Sequence, residues 1–167
     1  MRNYIMMLLM SVPQNKMTPE TEGKNHFNIY SQSQTELGRF LSHFAHHPVT
    51  TYEHGVFNSM EGYWYWLKYR DDNLRLLDGY EAKQYGQGLA ATRIAVLDPS
   101  SEEFKRDILF ATSMKLQTMP DLLKIRLAYS RLPLIHAYVR NGKYSFQNSM
   151  DYIIAHINRL RIQGTLK

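Results

Sequence analysis

The spacing of apolar residues predicts a long helix near the C-terminus. Apolar side chains recur every three or four residues in this segment, at Phe146, Met150, Ile153, Ile154, Ile157 and Leu160. Such spacing places the apolar side chains on one face of a helix, which then packs against a core. Gly164 lies just past the last apolar residue, where glycine commonly ends a helix.

The same spacing predicts a helix in the middle of the chain. Met60, Trp64 and Leu67 follow one another at intervals of four and three residues. They indicate a helix over residues 58–70 with its apolar face toward the core. Asn58 and Ser59 come directly before this face, and either residue is suited to cap the helix.

Shorter periodic segments complete a mainly α fold. Further helices are predicted around residues 74–77, 80–86, 100–111, 122–127 and 134–139. Ser100 and Glu103 have the spacing of a capping box at the start of the longest one. Strands are predicted at residues 27–30, as a hairpin at 50–56, and as one of two alternatives for the N-terminal segment. The expected fold class is therefore a single compact helical domain with a few short N-terminal strands.

No internal repeat or low-complexity linker divides the chain, which predicts one domain over residues 27–167. Residues 1–26 are assigned to an N-terminal strand or leader followed by an exposed connection. The apolar run at residues 5–10 is shorter than the roughly 7–15 residues of a signal-peptide core, and the polar residues 18–26 contain turn formers. The sequence leaves open whether translation starts at Met1 or at Met17.

Composition and charge narrow the class of function. A hydrophobic fraction of 44% and a charged fraction of 21% are typical of a folded globular protein. The absence of cysteine excludes disulfides, thiolate catalysis and cysteine-ligated zinc. No apolar stretch has the length of a membrane span, and together these features favour a cytoplasmic protein. The net charge of +5 favours an anionic partner, although a basic surface that only maintains solubility is an equal alternative.

The predicted helix at residues 58–70 carries the most promising chemistry. Glu61, Tyr65 and Lys68 are spaced at i, i+4 and i+7, so that a carboxylate, a phenol and an ammonium share one face. These groups suit a substrate that develops positive charge and carries a phosphate. Glu61 also follows Asn58 by three residues, so a capping-box role is the alternative interpretation.

Two further patterns do not predict a metal or a cofactor. The four histidines between positions 43 and 54 lack the spacing of a known zinc motif, and surface or turn positions suit them better. Residues 86–91 match a dinucleotide fingerprint nominally, but the polar segment before them does not predict the buried strand that this motif requires. The sequence therefore predicts neither a metal site nor a cofactor.

Several short motifs resemble those of the NADAR (YbiA-like) family, and the resemblance extends over about residues 27–160. The motifs that carry it are residues 28–31 (N-I-Y-S), 40–45 (F-L-S-H-F-A), 57–61 (F-N-S-M-E), 68–69 (K-Y), 82–86 (A-K-Q-Y-G) and the helix pair at 104–123. Asn148 matches the asparagine of the family's C-terminal N-x-L-G motif. Each motif is short, and their order and spacing make the resemblance specific.

The resemblance implies a mainly helical N-glycosidase, a hydrolase that acts on phosphoribosylamines or on ADP-ribosylated guanine in nucleic acid. It implies that Glu61 is the catalytic carboxylate. Carried over by motif and position, the substrate-binding residues are Ser42, His43, Phe44, Tyr65, Lys68, Gly86 and Asn148. The expected partner is accordingly a phosphorylated nucleoside-like small molecule or ADP-ribosylated nucleic acid, without a membrane. The oligomeric state is left open.

The chain also departs from the family pattern at positions where the ligand is expected. Ser100 and Ser101 occupy the region of a family tryptophan, and residues 138–142 replace its W-G-D-G segment. His43, His136 and Asp151 stand where asparagine, glutamate and glycine are usual. These departures favour an alternative function, which is non-catalytic binding of an ADP-ribose-like ligand or of modified nucleic acid.

Overall fold

The computed structural model of the protein describes residues 9–166. The helices are α1 (Glu36–Leu41), α2 (Met60–Tyr69), α3 (Gly79–Ala90), α4 (Glu102–Gln117), α5 (Asp121–Tyr129) and α6 (Asp151–Ile162). The strands are β1 (Phe27–Asn28), β2 (Val49–Thr51), β3 (Gly55–Phe57), β4 (Leu134–Ile135), β5 (Ala137–Arg140) and β6 (Lys143–Phe146). Three 3₁₀ helices are also present, at Gln14–Lys16, Pro19–Thr21 and Asp72–Leu76. The apolar run at residues 5–10 lies largely outside the described residues.

The expectation of a mainly α fold is wrong. The protein is an α+β domain with 48% helix and 13% strand, and its strands extend well beyond the N-terminal part. Residues 134–139, which were predicted to be helical, form β4 and most of β5. Phe146, which was assigned to the C-terminal helix, ends β6 instead. The reason is the turn between β5 and β6, where Asn141 and Gly142 both have positive φ angles of 50° and 72°. An Asn-Gly pair of this kind joins two hairpin strands.

The chain divides into two compact units. The first contains residues up to Leu41 and from Met119 onward. Its β1 pairs in parallel with β4, β5 pairs with β6, and α5 packs on α6. Its buried apolar residues include Phe27, Ile29, Leu37, Leu127, Ile153 and Ile157. Glu22 and His26 are also buried here, within the segment expected to be an exposed connection.

The second unit comprises Ser42–Thr118 and contains the predicted helix with Glu61. The β2–β3 hairpin packs on α4, while α2 packs on α3, α4 and the 3₁₀ helix at Asp72–Leu76. Its buried apolar residues include Phe57, Tyr63, Leu67, Leu74, Phe104 and Ile108. The helix at residues 58–70 and the hairpin at residues 50–56 are confirmed as α2 and β2–β3. No helix among residues 9–166 is long and apolar enough to cross a membrane.

A buried arginine joins α6 to the segment after α5. Arg161 is 1% exposed, and its guanidinium donates hydrogen bonds to the backbone oxygens of Leu127, Ser130 and Leu132 and to Oδ1 of Asn158. Burial lowers the pKa of Arg161 to about 10, so the side chain remains charged at neutral pH. The charge is thus stabilised by the backbone carbonyl dipoles that accept its hydrogen bonds.

Replacement of Arg161 by Leu is expected to lower the free energy of unfolding by roughly 3–5 kcal/mol, because each unpaired buried carbonyl costs about 1–3 kcal/mol. Urea denaturation at pH 7 measures the loss. Arg159→Leu is the control, since Arg159 lies in the same helix but is exposed, and a change within about 0.5 kcal/mol is expected. Equal losses in the two variants would contradict the structural role of Arg161.

Candidate functional site

Glu61 is the second residue of α2, and it does not cap the helix. Ser59 is the N-cap: its Oγ accepts a hydrogen bond from the backbone N–H of Gly62 at 3.0 Å and donates to the Leu77 oxygen at 2.9 Å. The side chain of Asn58 donates instead to the Leu76 oxygen. The capping-box alternative for Asn58 and Glu61 is therefore wrong, and the Glu61 carboxylate remains available for other interactions.

The surroundings of Glu61 favour its protonated form. The side chain is half-buried, and burial raises the pKa of Glu61 to about 7, against the opposing effect of the ammonium groups of Lys83 and Lys68. None of the described residues donates a hydrogen bond to this carboxylate or forms an ion pair with it. A carboxyl group that titrates near neutral pH is suited to proton transfer.

Tyr65 and Lys68 lie beside Glu61 on the same face of α2, as their spacing predicts. The Lys68 ammonium is 5.2 Å from the ring centre of Tyr65 and 5.1 Å from that of Tyr69. Burial, followed by the nearby charge of Glu61, raises the pKa of Tyr65 to about 12. The phenol is therefore a hydrogen-bond donor rather than a base at neutral pH.

Helix α3 contributes Lys83, which was not among the residues predicted for the site. Of Lys83 in α3 and Lys68 in α2, Lys83 lowers the pKa of Glu61 more. The Lys83 ammonium lies 5.8 Å from the ring centre of Phe44. Gly86, one turn later, lies against the Tyr65 ring, and a Cβ there would come within 2.1 Å of it. Lys83 and Gly86 are three residues apart and so share one face of α3, but no pattern in the sequence relates this face to Glu61.

We call Glu61, Tyr65, Lys68, Lys83 and Phe44 the Glu61 cluster. Gly86 is better described as the packing surface for Tyr65 than as a residue that contacts a ligand, because the ring of Tyr65 covers it. The cluster combines one carboxyl group of near-neutral pKa with two ammonium groups and two aromatic rings. It can hold an anionic group and a planar ring beside a proton acceptor.

The loop at residues 42–44 connects to this cluster through its backbone. Ser42 is 6% exposed, and its Oγ accepts a hydrogen bond from the N–H of Phe44 at 3.2 Å. The oxygen of His43 accepts from the N–H of Glu61 at 2.9 Å, while its ring packs on Trp64 at 5.8 Å between ring centres. Among the expected binding residues of the loop, Phe44 belongs to the cluster through its ring, which lies beside the Lys83 ammonium.

Asn148 belongs to the first unit, where it lines a cavity of about 570 Å³. The other polar side chains that line this cavity are Gln14, His136, Gln147, Asp151 and Asn158. The His136 Nδ1 donates to the backbone oxygen of Ile29 at 2.7 Å, and burial lowers the pKa of this imidazole. Asn148 and His136 therefore lie together in the first unit, whereas the residues of the Glu61 cluster belong to the second.

The comparisons with known proteins give no family for this chain. No protein-family model matches it, and neither a curated protein nor a solved structure is significantly similar to it. In the part of the chain that the structure describes, no group of three or more His, Cys, Asp or Glu residues could hold a metal ion. The features that bear on function are therefore the Glu61 cluster and the motifs that resemble those of the NADAR family.

Proposed function

We propose that the protein is an N-glycosidase that hydrolyses the C1′–N bond of an ADP-ribose-like or phosphoribosylamine substrate, including ADP-ribosylated guanine in nucleic acid. The observation that carries the proposal is the Glu61 carboxyl group, held at a pKa of about 7 beside Lys68, Lys83 and Tyr65. The order and spacing of the motifs around it support the same reaction class.

The chemistry requires a group that tolerates and stabilises positive charge. As the C1′–N bond breaks, its electron pair goes to the leaving nitrogen and the sugar becomes oxocarbenium-like. The Glu61 carboxylate stabilises this charge and accepts a proton from the attacking water, whose oxygen forms the new bond to C1′. The proton then passes to the leaving nitrogen, which completes the hydrolysis.

The remaining members of the cluster hold the substrate. The ammonium groups of Lys68 and Lys83 bind its phosphate, and the rings of Phe44 and Tyr65 provide flat surfaces for the base. A charged phosphate near both lysines also reduces their effect on Glu61. The carboxylate consequently becomes a stronger base once the substrate is bound.

The test is hydrolysis of two substrates without added metal, one with ADP-ribosylated guanine in a DNA oligonucleotide and the other a phosphoribosylamino-pyrimidine. Release of the base or of ADP-ribose from one of them is the expected result. Thermal stabilisation by ligand, with no product after long incubation, would instead support the non-catalytic binding function. If neither substrate yields product and no ligand stabilises the protein, both functions are rejected.

The activity should rise with pH, because the working form of Glu61 is the carboxylate. We expect kcat/KM to increase through an inflection near pH 7, the pKa of Glu61. Lys83 stabilises the carboxylate, so Lys83→Gln should move this inflection to higher pH. Lys105→Gln is the control, because Lys105 pairs with Glu102 at the start of α4 and should leave the profile unchanged. An inflection that moves to lower pH in Lys83→Gln would contradict the assignment.

A further inference from the structure

A buried lysine in α4 has no part in the proposed reaction. Lys115 is 3% exposed, and its Nζ donates a hydrogen bond to the backbone oxygen of Ser42 at 2.8 Å. Burial lowers the pKa of Lys115 to about 7. Removing an ammonium group from water costs several kcal/mol, whereas an apolar side chain of similar size fills such a position without that cost. A lysine at this position therefore destabilises the core relative to an apolar residue, while its ammonium binds the Ser42 carbonyl.

The loop that begins at Ser42 connects the Lys115 bond to Glu61 and to Lys83. Three hydrogen bonds hold the start of the loop at residues 42–44. The Lys115 ammonium and the N–H of Ala45 donate to the Ser42 oxygen, and the N–H of Phe44 donates to the Ser42 Oγ. Its second residue, His43, accepts the N–H of Glu61. Its third, Phe44, has its ring beside the Lys83 ammonium. One short loop therefore contacts both the turn that bears Glu61 and the side chain of Lys83.

We infer that Lys115 is a positioning residue: by fixing the Ser42 carbonyl it holds the 42–44 loop, and through that loop the distance between Glu61 and Lys83. This inference rests on the proposed role of the Glu61 cluster. A displacement of the loop by about 1 Å would separate the carboxylate from its principal cation. Misplacement on this scale can lower a rate by as much as about 10²-fold.

The first test requires no substrate. The pKa of the Glu61 carboxyl group is measured by ¹³C NMR in protein labelled at its glutamates, with Glu61→Gln used to assign the signal. In Lys115→Met the pKa of Glu61 should rise, because Lys83 no longer stabilises the carboxylate as well. Ser42→Ala removes the hydrogen bond from the Phe44 N–H to the Ser42 hydroxyl without altering any charge, and it should also raise the pKa of Glu61.

Thr112→Val is the packing control. Thr112 is buried in α4 one turn before Lys115, and its hydroxyl bonds to the Ile108 oxygen within the helix. This variant disturbs the same core but not the loop, so the pKa of Glu61 should stay at its wild-type value. Should Lys115→Met fail to fold, Ser42→Ala still tests whether the loop controls the pKa of Glu61, on which the inference depends. An unchanged Glu61 pKa in Ser42→Ala and in any folded Lys115→Met would overturn the inference.

The second test separates this inference from the proposed function. On the substrate that the wild type hydrolyses, Lys115→Met should lower kcat/KM about 10-fold or more, with the inflection of its pH profile moved upward. If the pKa of Glu61 moves in the variants but the wild type hydrolyses neither substrate, the positioning role stands and the N-glycosidase proposal fails. If kcat/KM and its pH profile are unchanged in Lys115→Met, the positioning role fails while the enzyme assignment stands.

Discussion

Replacement of Glu61 by Gln is expected to lower kcat/KM by about 10²–10⁴-fold and to leave the fold intact. The amide has nearly the shape of the carboxylate, but it cannot accept a proton from water or stabilise an oxocarbenium-like charge. Ser59 caps the helix, and none of residues 9–166 donates a hydrogen bond to the Glu61 carboxylate, so the substitution removes no structural contact. Initial rates on the substrate that the wild type hydrolyses measure the effect, with circular dichroism to confirm the fold.

The same variant should be more stable than the wild type at alkaline pH. Burial raises the pKa of Glu61 from 4.5 to about 7, so the folded protein retains a proton that the unfolded chain loses. The free energy of unfolding therefore falls as the pH rises from 4.5 to 7. Above pH 7 the folded protein carries the full free-energy cost of an ionised, buried carboxylate. We expect Glu61→Gln to remove roughly 1–3 kcal/mol of this cost at pH 8 and nothing at pH 4.

Glu103 provides a matched control for both measurements. It is likewise the second residue of a helix, α4, but its side chain is exposed. Glu103→Gln should leave kcat/KM unchanged and alter the stability only by the few tenths of a kcal/mol that a charge at a helix N-terminus provides. If Glu61→Gln retained wild-type activity, or lost stability at pH 8, the carboxylate would be a structural group and not a catalytic one.

Helices α2 to α6 could be predicted from the sequence because each buries a single face, whereas α1 was not predicted. Met60 and Leu67 in α2, and Ile153 and Ile157 in α6, are all buried, as their spacing requires. Of the strands of the first unit, β1 was predicted within residues 27–30, whereas β4, β5 and β6 could not be predicted from this spacing. Residues 134–139 are apolar except at His136, a pattern that a helix and a buried strand share. The Asn141–Gly142 turn was the available signal, because it selects a hairpin.

The candidate site was predictable only where one helix determines it. Glu61, Tyr65 and Lys68 share a face of α2 because helical periodicity places them there. Lys83 joins them through the packing of α2 on α3, which no spacing within one helix can indicate. Ser42 stays a predicted ligand contact, and its hydroxyl accepts a hydrogen bond from the Phe44 N–H within the same loop. Tertiary packing thus accounts for Lys83 in the site, whereas helical spacing accounts for Tyr65 and Lys68.

Gly86→Ala should have the second-largest effect on the site. A Cβ at this position would lie 2.1 Å from Cγ of Tyr65 and 2.2 Å from its Cδ1, so the ring would have to leave its place beside Glu61 and Lys68. Such overpacking costs about 1–3 kcal/mol, measured by urea denaturation. We expect kcat/KM to fall about 10- to 100-fold as well, because the ring that lies between α2 and α3 is displaced.

Gly88, in the same helix, provides a control for the change in stability expected of Gly86→Ala. A Cβ at Gly88 meets no atom within 4 Å, so Gly88→Ala should stabilise the protein by up to about 1 kcal/mol through helix propensity alone. The cause of the loss at Gly86 can be isolated by repeating that substitution in a Tyr65→Ala background. There the clash is absent, and Gly86→Ala should become neutral or stabilising. A loss that persists without the ring would show that the backbone of α3, and not Tyr65, requires glycine at this position.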